Sequence, residues 1–209
     1  MGFYPLLLEL EGRRVVVIGG GVVGERKVEG LLAVRADVTV VSPDLTPALA
    51  ALAQAGRIAR IARPYRQGDL EGAALVFTAL GDPQVTAAVA DEARHRNIWL
   101  NAADDPAHCS FILPAVVRRG PLTVAIASGG ATPALTRALR EHLDGVLGPE
   151  WAALAELAAE ARRELRASGR SADGETWRRA LADDVRALVA ARRLDEARRE
   201  LRARLAMPA

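Results

Sequence analysis

Residues 14–27 read RVVVIGGGVVGERK. Four consecutive β-branched residues, Val15, Val16, Val17 and Ile18, form a buried-strand signal that runs into a glycine-rich turn. Gly19, Gly21 and Gly24 then fit G-x-G-x-x-G, and a helix-forming segment follows. Strand, glycine turn and helix in that order make a dinucleotide fingerprint. The first glycine permits a tight turn, the second lets backbone approach a pyrophosphate, and the third lets helix and strand pack closely. A helix N-terminus adds unpaired N–H groups and the positive end of a dipole. Gly19, Gly20, Gly21, Val22, Val23 and Gly24 are therefore the candidate phosphate cradle.

Strands are expected at 14–18, 38–41, 58–61, 74–79 and 98–101, with helices at 22–34, 47–54 and 83–96 between them. The first helix should bury Val23, Val28, Leu31 and Leu32. Alternating strands and helices predict an α/β, Rossmann-like parallel sheet, and residues 1–13 read as a lead-in segment covering it. The pattern then changes. Residues 111–117 and 122–128 are two apolar β runs joined by Arg118-Arg119-Gly120-Pro121, which reads as a hairpin. Pro114 within the first run points to an edge or a bulge. Thr132 and Pro133 suit the N-cap and first turn of a helix that buries Leu135, Ala138, Leu139 and Leu143. Beyond Gly148 three helical stripes replace the strands: Trp151 to Leu165, Trp177 to Leu188, and Leu194 to Leu205. The expected division is a nucleotide-binding domain over 1–110, a dimerisation region over 111–147 and a small helical domain over 148–209.

Composition narrows the function. The chain has 209 residues, half of them hydrophobic and only 4% aromatic, with a net charge of +2. That is a modest arginine excess and not a polybasic tract, so nucleic acid is not implied. Apolar runs stay well below the roughly 18 residues of a membrane span. Cys109 is the single cysteine, so no internal disulfide can form and a reducing, cytoplasmic setting is expected. His95, His108 and His142 show no metal-ligand spacing, so no metal site is expected.

Further elements should reach the carboxyl edge of the sheet. Ser42, Pro43 and Asp44 follow the second strand, where an acid commonly holds the ribose hydroxyls. The strand ends in serine with the acid two residues on, and no arginine follows Ser42, which favours NAD over NADP. Thr78, Ala79 and Leu80 should pass near the nicotinamide half. The fifth strand delivers Asn101-Ala-Ala-Asp104-Asp105-Pro106, and a carboxylate there suits a general base. Ser128, Gly129, Gly130 and Thr132 form a second glycine-rich junction at a helix N-terminus, a place for a substrate carboxylate or, equally, an ordinary glycine turn.

These motifs together carry a resemblance. YPL near the start, GGGVVGERK, VTVVSP, NAADDP and FILPAVVRRGPLTVAIASGGATPALTRALRE, followed by a helical tail, are similar to the precorrin-2 dehydrogenase family and to the N-terminal part of siroheme synthase. The resemblance implies NAD-dependent oxidation of precorrin-2 to sirohydrochlorin, with iron insertion (ferrochelatase activity) in some members, and a homodimer whose interface is the hairpin region. It places the essential carboxylate on Asp104 and Ser128 in the substrate pocket. Arg35 departs from the pattern, standing where the family usually has glycine. A reading from another class is an NAD-sensing regulatory module, which would bind the nucleotide and oxidise nothing.

Overall fold

The computed structural model describes residues 2–103 and 105–207. They divide into two compact units, Met1–Ile112 and Leu113–Ala209.

In the first unit, β1 (Arg14–Ile18), β2 (Asp37–Val41), β3 (Ala59–Ile61), β4 (Leu75–Thr78) and β5 (Trp99–Ala102) form one sheet in the order β3-β2-β1-β4-β5. Every pairing is parallel. α1 (Val22–Leu32), α2 (Pro47–Gln54) and α3 (Pro83–His95) connect the strands. Alternation across the pleat creates two cores. Val15, Val17, Val38, Val40, Leu75 and Phe77 meet Val28 and Leu31 of α1 and Leu49 of α2. Val16, Ile18, Val41, Val76 and Leu100 meet Val89, Ala90 and Ala93 of α3. Strands buried on both faces read as continuous apolar runs, which is why the sequence makes them plain. Two expectations need correction. Val23 is 42% exposed, because α1 turns Gly24, Val28 and Leu31 inward, while Leu32 lies at the core margin. The lead-in segment does not cover the sheet: residues 2–9 form no element and stay exposed, and only Leu10 reaches the core.

The link from β3 to β4 is held by buried charge. Asp69 accepts both ends of the Arg63 guanidinium, at 2.7 Å each, and the Arg66 N–H at 2.9 Å. The Arg63 hydrogen bonds hold the Asp69 carboxyl below its ordinary range. Glu92 of α3 accepts from Tyr65 Oη, the Gly68 N–H and Arg96 Nε. Burial pushes its carboxyl up, but those three donors outweigh it and leave it lowered, while burial and the Glu92 bond raise the Tyr65 hydroxyl. α1 closes through Arg35, whose φ of +56° is left-handed, with the Ala36 N–H on the Leu31 carbonyl. A glycine takes that conformation without cost. Here Arg35 is paired with Glu11 at 2.8 Å instead.

In the second unit, β6 (Ala115–Arg119) and β7 (Leu122–Ile126) form the antiparallel hairpin. α4 (Pro133–Val146), α5 (Glu150–Ala167), α6 (Gly174–Ala180), α7 (Asp183–Ala190) and α8 (Leu194–Arg204) follow. β6 begins at Ala115, so Pro114 precedes the strand and is not within it. The stripe from Trp177 to Leu188 is two helices, broken at Leu181 and Ala182. α5 to α8 share a core of Leu154, Leu157, Ala161, Leu165, Ala180, Val185, Val189, Ala197, Leu201 and Leu205, and Leu194 stays exposed. α4 departs most from expectation. None of its residues is buried, and Leu135 and Leu139 are 53% and 42% exposed.

Candidate active site

The switch point of the sheet lies between β1 and β4, where the strand order reverses, and crevices at such points hold ligands. The glycine loop leaves β1 there, held by Gly19 N–H on the Val41 carbonyl at 3.0 Å. Gly19 has φ +113°, and a Cβ added to it would stand 2.7 Å from the Ala79 carbonyl oxygen. A Cβ on Gly20 would stand 2.3 Å from the Asp44 carbonyl oxygen, and one on Gly24 would stand 2.2 Å from that of Gly19. Real side chains do not fit at such distances. The three glycines thus draw the loops after β1, β2 and β4 into one crevice and seat α1 against its strand.

Gly21 differs. A Cβ there meets nothing within 4 Å, and the residue is the N-cap of α1 with no side-chain hydrogen bond. The neighbouring helices are capped from within: Thr46 Oγ1 accepts from Leu49 N–H in α2, and Asp82 accepts from Gln84 and Val85 N–H in α3. α1 alone of these three leaves its first N–H groups without a side chain, beside an open space and with Gly21, Val22 and Val23 exposed. A dinucleotide pyrophosphate fits that cradle by charge and by space.

Ser42 is buried at the end of β2 with its N–H on the Ile61 carbonyl, and Pro43 and Asp44 follow on the surface. The Pro43 carbonyl accepts from Arg60 of β3 at 2.5 Å. Strand pairing, not proximity along the chain, brings this arginine to the end of β2. Thr78 closes β4 with a buried hydroxyl that has no hydrogen-bond partner among the described residues, and Ala79 and Leu80 are half-buried beside Gly19.

The turn after β5 is pinned from several sides. Ala103 N–H donates to the Thr78 carbonyl at 2.9 Å. Asn101 Nδ2 donates to the Phe111 carbonyl at 3.1 Å, and the Cys109 thiol donates to the carbonyls of Ala102 and Asp105. The cysteine thus acts as a packing and hydrogen-bonding group. The Phe111 ring stands edge-on to Phe77, and Lys27 Nζ lies 5.6 Å over the Phe77 ring. Asp104, the proposed base, lies outside the described residues. Its neighbour Asp105 accepts a hydrogen bond from His108 Nδ1 at 2.7 Å. Among the described residues no group of three or more His, Cys, Asp or Glu is arranged to hold a metal, and no helix is long and apolar enough to cross a membrane.

The second glycine junction belongs to the hairpin unit. Gly129 and Gly130 are left-handed, at φ +63° and +85°. Thr132 sits at the N-cap of α4, but its side chain caps nothing, and its N–H is taken by Ser128 Oγ at 3.1 Å. Nearby in sequence, Arg119 is committed to Asp144 and to the Leu147 carbonyl, whereas Arg118 and Arg137 are exposed.

The siroheme synthase of Methylobacillus flagellatus is 42% identical over 162 residues, which is 78% of this chain and 35% of that protein. Siroheme synthase 1 of Pectobacterium atrosepticum is 37% identical over 207 residues, 98% of this chain and 43% of that protein. The chain thus spans less than half the length of these relatives. Among solved structures, SirC, a precorrin-2 dehydrogenase, superimposes with a TM-score of 0.74 at 24% identity, covering 95% of this chain and all of that one, and so shares its fold. The family model described as putative NAD(P)-binding matches residues 6–115, and the chain belongs to that family.

Proposed function

We propose that this protein oxidises precorrin-2 to sirohydrochlorin with NAD as the oxidant. The observation that carries this reading is the convergence of the glycine loop, the β2 and β4 ends and the β5 turn on one edge of the sheet. The names of the relatives and of the structural neighbour supply the substrate. NAD, when bound, would supply the hydride acceptor. The backbone N–H groups at Gly21, Val22 and Val23 hold the pyrophosphate, Ser42, Pro43 and Asp44 border the adenosine ribose, and Thr78, Ala79 and Leu80 border the nicotinamide half. The substrate gives up a proton as well as the hydride, and Asp104 is the proposed acceptor of that proton. Ser128, Gly129, Gly130 and Thr132 receive one of the substrate's carboxylates at the N-terminus of α4.

The assembly we propose is a cytoplasmic homodimer, with residues 1–110 binding nucleotide, 111–147 forming the interface and 148–209 forming the helical domain. The exposed leucines of α4 support that division. The relatives' name, siroheme synthase, also supports iron insertion as a second activity. Incubation with precorrin-2 and NAD tests both. Equal amounts of reduced nicotinamide and sirohydrochlorin are the expected products, and added iron then gives siroheme if the second activity is present. NAD binding with no oxidation identifies a sensor instead.

A further inference from the structure

Arg60 lies in β3, paired in register with Val40 of β2. Its guanidinium crosses the end of β2 and donates to the Pro43 carbonyl at 2.5 Å. The same loop brings the Asp44 carbonyl against Gly20, so Arg60 flanks the strand end that belongs to the glycine crevice. In dinucleotide folds the adenosine ribose lies at this strand end. A carboxylate closing the strand accepts the ribose hydroxyls and repels a phosphate, whereas an arginine does the reverse. Here the strand closes with Ser42, and the nearest carboxylate along the chain is the exposed Asp44. Among the described residues Arg60 forms no ion pair, and its one hydrogen bond to Pro43 leaves most of a five-donor fork for an anion.

We propose that Arg60 forms a subsite for a ribose 2′-phosphate, so that this chain takes NADP as well as NAD. The inference rests on the nucleotide reading above and extends it to a residue outside the glycine motif. Arginine suits a phosphate because its planar fork makes two parallel charge-assisted bonds, and a lysine replacement keeps the charge but loses the fork.

Calorimetric titration of NAD and NADP into the wild-type protein, Arg60→Ala and Arg60→Lys tests this without substrate. NADP binding to the wild type is expected to weaken more steeply with salt than NAD binding. Arg60→Ala should lower NADP affinity at least about tenfold more than NAD affinity, the scale of one lost hydrogen-bonded charge contact. Arg60→Lys should fall between. NADP binding too weak to detect beside clear NAD binding overturns the proposal and leaves the nucleotide reading standing. So does an absent loss, or one shared equally by the two nucleotides, since Arg60 then only braces the Pro43 loop. A wild-type protein that binds neither nucleotide overturns both.

Discussion

The parallel sheet and the hairpin with α4 treat their apolar residues in opposite ways. β1 and β4 are buried on both faces, and α1 and α3 turn their apolar stripes onto them. The hairpin has only Val117 fully buried, and α4, which has a well-formed apolar stripe, buries nothing. Leu113, Leu135, Leu139 and Val146 are each at least 42% exposed. A self-covered region builds a rigid frame whose carboxyl edge is free for a ligand. A region that leaves such a patch is suited to being covered by another surface. On the proposed function the chemistry belongs to the first region and assembly to the second, and each proposal can be broken separately.

The largest expected effect is on turnover. Asp104→Asn removes the proposed base while keeping its shape, and steady-state rates should fall about 10²–10⁴-fold with NAD affinity little changed. Asp105→Asn should cost much less, by loosening His108, to which Asp105 is bonded. Near-normal turnover in Asp104→Asn with loss in Asp105→Asn would move the base one residue along.

Assembly comes next. Light scattering of the wild type should show a dimer, and Leu135→Glu with Leu139→Glu should give monomers whose sheet remains folded by circular dichroism. A wild type that is monomeric at micromolar concentration would leave the exposed leucines unexplained.

Acid should then act on the frame. Asp69 is held below its ordinary range, so its stabilisation is complete above the unfolded carboxylate value of about 4 and is lost as pH falls through the lower folded value. Melting temperature should drop steeply below about pH 4 in the wild type. Asp69→Asn should be less stable by about 1–3 kcal/mol at neutral pH, with a flatter acid profile, because the Arg63 and Arg66 donors lose their anion. Identical profiles for the two proteins would show that this pair does not hold the frame.

The smallest effect is at Arg35. Replacing it with glycine relieves a left-handed backbone, against loss of an exposed ion pair with Glu11 that contributes little. A gain of about 0.5–1 kcal/mol in chemical denaturation is expected. A net loss would mean that the Glu11 pair outweighs the strain.

The frame was legible in the sequence for a physical reason. Val15 to Ile18 and Leu75 to Thr78 are buried on both faces, and such strands read as unbroken apolar runs beside glycine turns. The exposure of α4 was not legible. A helical stripe states that a face is apolar, and says nothing of whether the same chain covers it. The site divided similarly. The glycines follow from local turn chemistry, so the cradle at 19–24 could be read directly. Arg60 reaches the β2 end only because a three-residue edge strand pairs beside it, a relation set by register and not by spacing. The link between Asp105 and His108 depends on a single 3₁₀ turn at Pro106–His108, too short to leave a periodic signal.

Calorimetry of NAD binding to Gly21→Val shows whether the carboxyl edge at the glycine loop holds the nucleotide. A Cβ at Gly21 meets no protein atom within 4 Å, so the variant should fold as the wild type does. Its side chain would then stand in the path of the pyrophosphate and weaken binding by at least about 2 kcal/mol, the scale of a steric insult in a packed site. A folded Gly21→Val protein that binds NAD as tightly as the wild type would mean that the pyrophosphate does not lie at this loop.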